Sequence, residues 1–442
     1  MILAQLVNLL YNVVDRIYIG SLKDVGQVAI GGMGACFPII ILISAFSALF
    51  GMGGAPLAAI ELGKGNAKKA EQILNTALVL LLSVAVALIP LMLIFKQEIL
   101  LLFGANSVNL PFANAYLNVY IIGTPFVMIS LGLSQYITAQ GKTLFAMISV
   151  LIGAIFNIIL DPIFIYAFDL GVSGAAVATV ISQALSAIFI VWFFTSKKTA
   201  IRISPFKHAI KAQTVKGITA LGLSPFIMQS TEALVQICFN TQIKNYVLDI
   251  ELQTVYLSAM TILISLMSLI NMPLQGLAQG TQPIISQNYG ANKVERAKEA
   301  SVKLILYCLA FSFLFVLAII LFPKPFIRIF NRDPRLVEVS AKTVRIFFIG
   351  FAFMGVQIGC QNSFLALGKS KISLLLASLR KIILLIPLTF ILPLFFNEKG
   401  IFIAESVADG LAIAVTFVCY LLLFKKYLYG AKKVENNNEN SD

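Results

Sequence analysis

Residues 51–72, GMGGAPLAAIELGKGNAKKAEQ, return further down the chain as residues 276–299, GLAQGTQPIISQNYGANKVERAKE. Gly53, Pro56 and Gly63 reappear as Gly280, Pro283 and Gly290, each pair 227 residues apart. The same offset joins Phe103 to Phe330, Gly123 to Gly350, and Gly141-Lys142 to Gly368-Lys369. A spacing held constant over about ninety residues marks an internal duplication.

Composition says what is duplicated. Hydrophobic residues make up 59% of the 442, charged residues 12%, and the mean hydropathy is +0.91, far outside the soluble globular range. Apolar runs of about 20 residues recur along the whole chain, and ten-residue alternating segments do not, which selects helices over a β-barrel. The reading is an all-α integral membrane protein with twelve spans, near 1–19, 29–60, 73–95, 116–139, 144–167, 172–195, 217–243, 254–285, 303–322, 343–366, 372–396 and 400–424. These are helices one to twelve below. The duplication divides them into two pseudo-symmetric six-helix lobes, residues 1–195 and 217–424, joined by a basic linker, 196–216, and followed by a polar tail, 425–442. Six is even, so both copies start on the same side and are expected to be related by an axis along the membrane normal.

The net charge of +13 follows the topology rather than a nucleic acid. The loops after even-numbered spans, with the tail, hold 22 of the 33 Lys and Arg, which places those loops and both termini in the cytoplasm. The exception is the stretch from Lys324 to Lys342, an outer loop with five basic residues. The linker reads as a solvated segment with affinity for anionic lipid heads, and its His208, the one histidine, receives no role. The five cysteines lie in apolar spans and imply neither disulfide nor metal. No secretory signal precedes the first span, which is expected to be retained. A membrane enzyme would need a nucleophile with a base, or a metal cluster, and no such constellation is present.

Against this apolar background the polar residues stand out. Gln5, Asn8, Asn12 and Asp15 form one stripe on helix one, and a stripe holding a carboxylate cannot face lipid cheaply. The bland alternative is a salt bridge to Arg16 near the membrane surface. On helix five, Asn157 and Asp161 share a face, and Pro162 frees the carbonyl of Ile158 beside them. Helix six adds Thr179, Ser182 and Gln183, with Gly174, Ala175 and Ala178 permitting close approach. If Asp15 and Asp161 share a pocket, their mutual repulsion would be relieved by a proton or by sodium. Asp161 could equally be a turn-forming Asp-Pro at the helix end.

The second lobe opens with its own stripe, Gln229, Glu232, Gln236 and Asn240. Glu232 reads as a second buried carboxylate, able to hold an organic cation or coupling ion, or else hydrogen-bonded to Gln275, Gln279 or Gln282 of helix eight. Helix ten contributes Gln357, Gln361 and Asn362. Glu405 and Asp409 on helix twelve are expected to be neutralised by Arg380 and Lys381 on helix eleven. Glu232, Gln236, Gln357 and Gln361 are candidates to line a substrate cavity, and Asp15, Asn157 and Asp161 are candidates for a cation site.

The run YNVVDRIYIG, the two P-x6-G turns, AQGK and ALGK at the ends of helices four and ten, and NIILDPIFIYAFDLGVSGAAVATVISQ together resemble the multidrug and toxic compound extrusion (MATE) transporters, in their bacterial DinF-like and MepA-like branch. The resemblance covers the whole chain. It implies a twelve-helix antiporter that exports amphipathic, often cationic small molecules against inward H+ or Na+, by alternating access of two lobes. It also implies a monomer in the cell membrane that needs no cofactor beyond the coupling ion. Asp15, Asn157, Asp161 and Thr179 match the residues of the family's amino-lobe cation site. Two departures are visible. The chain starts at Met1 within helix one, without the extension and proline that relatives carry there. Helix ten lacks the aspartate that completes a carboxy-lobe sodium site in the NorM-like branch. The rival within the same superfamily is a lipid-linked precursor flippase, which would line its cavity with several basic residues.

Overall fold

The computed structural model describes residues 2–22, 25–103, 105, 107–204, 209–330 and 333–439. Among these the chain is helical and contains no strand. Helices one to three are Ile2–Gly20, Gly26–Gly63 and Ala67–Leu102. Helix four is bent by 60° at Gly123, between Leu110–Ile122 and Thr124–Ala139. Helix five runs Thr143–Pro162 and continues as a π turn, Ile163–Ala167, and helix six is Gly171–Thr195. Helices seven to nine are Ala212–Tyr246, Ile250–Gly290 and Val294–Leu321. A short helix, Pro323–Arg328, precedes helix ten, which is made of Pro334–Phe351 and Met354–Ala366. Helix eleven is Ser370–Ser378, a π segment Leu379–Leu385, and Ile386–Ile391. Helix twelve spans Pro393–Glu439 with a break at Asn397, where φ is 50°.

Among the described residues, nine helices are each long and apolar enough to cross a membrane, and the bent helix four makes a tenth. Contacts divide the chain into two compact units, Leu3–Gln229 and Ser230–Asp442. Each has its own apolar core.

The duplication is written into the backbone. Gly65 and Asn292, and Gly141 and Gly368, are 227 apart and adopt the left-handed conformation at equivalent turns. Gly123 and Gly350 lie where helices four and ten press on helices six and twelve. A Cβ at Gly123 would fall 2.3 Å from Val180, and one at Gly350 would fall 2.1 Å from the Ser406 carbonyl oxygen. In lipid no hydrophobic force drives apolar helices together, so such close approaches, with interhelical hydrogen bonds, hold each lobe. Ser312 illustrates the second kind. Its hydroxyl donates to the Ala352 carbonyl (2.9 Å) and accepts from the Gly355 N–H (3.2 Å), satisfying backbone freed by the break in helix ten.

The segment joining the lobes is anchored rather than loose. Gln140 Oε1 accepts from the Ala200 N–H (2.7 Å) and the Thr199 hydroxyl (2.9 Å). Asn75 donates to the Arg202 carbonyl (3.0 Å) and accepts from the Ser204 N–H (2.7 Å), and Ile201 is buried in the amino-terminal core. Lys207 and His208 lie outside the described residues. Helix seven begins at Ala212, and its first half, up to Gln229, belongs to the amino-terminal unit. It lies so close to helix two that a Cβ at Gly222 would fall 1.7 Å from the Leu49 carbonyl oxygen. Gly222→Ala is therefore expected to destabilise the purified protein by about 1–3 kcal/mol, read as earlier loss of the monodisperse species on heating. Gly410→Ala, where an added Cβ meets nothing within 4 Å, is expected to leave that temperature unchanged.

Candidate functional site

Asn157 and Asp161 are one turn apart on helix five, so both point to the same side, and both are buried, at 2% and 0% exposure. Asn157 Nδ2 donates to Asp161 Oδ1 (3.2 Å) and lies 3.4 Å from Thr179 Oγ1 of helix six. The Thr179 hydroxyl donates back to its own helix, at the Ala175 carbonyl (2.9 Å). Asp15 of helix one is buried as well, and its charge acts on Asp161. Four residues taken from helices one, five and six are thus assembled in one place. The side chains of Asn8, Asn12 and Arg16 lie outside the described residues.

Two further residues complete this arrangement, and neither was anticipated from the sequence. Tyr116 of helix four, 3% exposed, stands near Thr179 and within reach of the Asp15 charge. Tyr166 lies in the π turn that follows Pro162. A proline cannot donate to its helix, and here the register widens, with the Phe168 N–H bonding the Ile163 carbonyl at 2.9 Å. That turn carries the Tyr166 hydroxyl to the Tyr18 carbonyl (2.7 Å) and the Ser21 hydroxyl (2.6 Å). The end of helix one is thereby pinned to helix five, three residues beyond Asp15. The one sequence signal for this was Asp-Pro itself, which marks a helix irregularity without saying where the next turn points.

The chemistry of the assembled atoms is one-sided. Asn157 Oδ1 and Asp161 Oδ2 of the site are buried and have no hydrogen-bond partner, and so, elsewhere along helix six, are Ser182 Oγ and Gln183 Oε1. Three of these four atoms are acceptors only, and buried acceptors without donors are costly unless something positive reaches them. Oxygen-only donors of this kind suit a proton or a hard monovalent cation.

The carboxy-terminal lobe departs from expectation in its pairing. Glu232 is not buried; its side chain is 48% exposed, and its partner is the Lys381 ammonium rather than a glutamine of helix eight. Arg380 alone holds both helix-twelve acids, with Nε on Asp409 Oδ1 (2.6 Å) and Nη2 on Glu405 Oε1 (3.1 Å). Arg380 and Lys381 were expected to neutralise helix twelve together, and in the structure they do not. Instead Arg380 faces helix twelve and Lys381 faces helix seven. Both are buried within helix eleven and do not belong with the cytoplasmic loop before it. Glu232 and Gln236 line a recess of about 30 Å³ with Phe239, Phe347, Arg380 and Lys381. Gln236 also donates to Asn240 Oδ1 (3.2 Å). Gln357 and Gln361 are buried in helix ten, at 2% and 6% exposure, and do not line this recess.

Comparison with known proteins agrees with this architecture. Over 433 residues the chain is 25% identical to the multidrug export protein MepA of Staphylococcus haemolyticus (strain JCSC1435), covering 97% of this chain and 91% of that protein. It is 24% identical to MepA of Staphylococcus aureus (strain N315), covering 96% and 92%. Among solved structures, a ligand complex of the MATE multidrug transporter DinF-BH superposes with a TM-score of 0.87 at 29% identity, over 97% of this chain and 94% of that one. A MATE structure in the bent conformation, at 22% identity, shares the fold with a TM-score of 0.88 over 98% and 94%. The MatE family model matches residues 1–163 and again 245–391, one match to each copy of the duplication. With that match, and with full-length likeness to multidrug exporters, the chain belongs to the MatE family of multi-pass multidrug efflux transporters.

Proposed function

We propose that the protein exports amphipathic, cationic small molecules in exchange for H+ or Na+, by alternating access, with the coupling ion taken at Asp15, Asn157, Asp161 and Thr179. The observation that carries this reading is the pair of donorless oxygens, Asn157 Oδ1 and Asp161 Oδ2, buried beside the Asp15 charge. Ion and cargo would act through one two-state equilibrium. An ion that prefers one state and a cargo that prefers the other each drive the exchange of their partner, and the coupling is limited by those preferences. The multi-pass fold and the basic loops support a cell-membrane protein with both termini in the cytoplasm. A flippase for lipid-linked precursors is less well supported. Arg380 and Lys381, the basic side chains inside helix eleven, are engaged with carboxylates and do not form an anion cradle.

In proteoliposomes under imposed proton or sodium gradients, Asp15→Asn is expected to lower gradient-driven efflux of a fluorescent organic cation by about 5–150-fold. Unchanged transport would sink the coupling role, and the gradient that drives the wild type names the ion. Tyr116→Phe removes a buried hydroxyl that stands near Thr179 and Asp15 and is expected to shift the half-saturating ion concentration by about two- to tenfold, with the maximal rate retained. An unshifted midpoint would place Tyr116 outside the ion site.

A further inference from the structure

The recess in the carboxy-terminal lobe holds an arrangement that packing alone does not explain. Five charged side chains from helices seven, eleven and twelve form one electrostatic unit: Glu232, Arg380, Lys381, Glu405 and Asp409. Three acids face two cations, and Glu405 and Asp409 are buried, so ionising all three would leave one carboxylate uncompensated, which is expensive. The deficit is localised. Glu405 Oε2 and Asp409 Oδ2 are buried with no hydrogen-bond partner, because Arg380 reaches only one oxygen of each acid.

Lys381 sits between two demands. It is bonded to Glu232, yet its charge also acts on Glu405 and Asp409. Its side chain is 4% exposed, whereas that of Glu232 is 48% exposed, so the acid can be reached from outside and the base cannot. The open volume beside them, about 30 Å³, has room for a water and not for an organic head group. A cation that pairs with Glu232 Oε1, the oxygen Lys381 holds, does so only by displacing that ammonium. Lysine is suited to such an exchange, being a compact charge on a flexible four-carbon stem, and here it stands on a π segment, Leu379–Leu385.

We propose that Lys381 is a tethered stand-in for the cargo: it holds the Glu232 carboxylate until an organic monocation takes its place, and then passes its ammonium to the unfilled oxygens of Glu405 and Asp409. The exchange brings the cluster from three carboxylates and two cations to three and three, and it gives Glu405 and Asp409 the donors they lack. Selection for a cation follows, since a neutral ligand would displace Lys381 without replacing its charge at Glu232. This inference rests on the cationic cargo proposed above and deepens it by naming the residue with which the cargo competes.

The test is equilibrium binding of tetraphenylphosphonium, a permanently charged aromatic monocation, to the full-length protein in nanodiscs. Lys381→Met removes the competitor and is expected to tighten binding about tenfold, while Lys381→Arg, which keeps it, leaves affinity near the wild-type value. Glu405→Gln weakens the destination of Lys381 and is expected to loosen binding about threefold in the wild-type background, but not in Lys381→Met. Unchanged or weaker binding by Lys381→Met, or an equal effect of Glu405→Gln in both backgrounds, overturns the inference. Should Lys381→Met fail to accumulate as folded protein, Glu405→Gln alone decides: unchanged or tighter binding overturns it. Absence of tetraphenylphosphonium binding to the wild type overturns the cationic-cargo reading along with it. A response to the gradients without a response to Lys381→Met overturns this inference alone.

Discussion

A charge or an amide buried among lipid-facing helices has no water to turn to, and an ionised side chain at mid-membrane costs about 2.5–3.5 kcal/mol even by the mildest scale. Every polar group in these spans must therefore be answered from within the protein or by something the protein binds. The two lobes answer differently. In the first, Asn157, Asp161 and Thr179 partly satisfy one another and leave acceptor oxygens over. In the second, Arg380 and Lys381 supply positive charge to three carboxylates.

That difference is laid on a repeated frame. The left-handed turns at Gly65 and Asn292 and at Gly141 and Gly368, and the close approaches at Gly123 and Gly350, recur with one offset. At the same offset Arg380 and Lys381 stand where the first copy has Gly153 and Ala154, and Glu405 and Asp409 stand where it has Ala178 and Ser182. The second lobe thus carries its acids and bases as a set, on facing helices. Removing one member of such a set would leave another charge uncompensated, which costs about 3–5 kcal/mol, so the four positions constrain one another.

The irregular backbone lies where the chemistry is. A π turn after Pro162 swings Tyr166 onto the end of helix one, and a π segment in helix eleven carries Arg380 and Lys381. These segments are not symmetry mates: the equivalent of 379–385 in the first copy is regular helix. Backbone of this kind persists in a membrane only where neighbouring helices satisfy it, and here it directs side chains that regular helix would send elsewhere.

The helical membrane class, the duplication and the polar faces were legible in the amino-acid order, because hydropathy, offset and helical period are properties of the chain read in one dimension. Asp15, Asn157, Asp161 and Thr179 stood out for that reason: each breaks an apolar run on a face already defined. The partners of those faces emerged with the packed helices alone. That Lys381 turns to Glu232 and not to Asp409, that Tyr116 reaches Thr179, and that Asn75 and Gln140 tie down the joining segment depend on the directions of side chains from helices distant in sequence. Spacing along the chain says which residues share a face, but the neighbour that meets the face is chosen by the packing of the whole lobe.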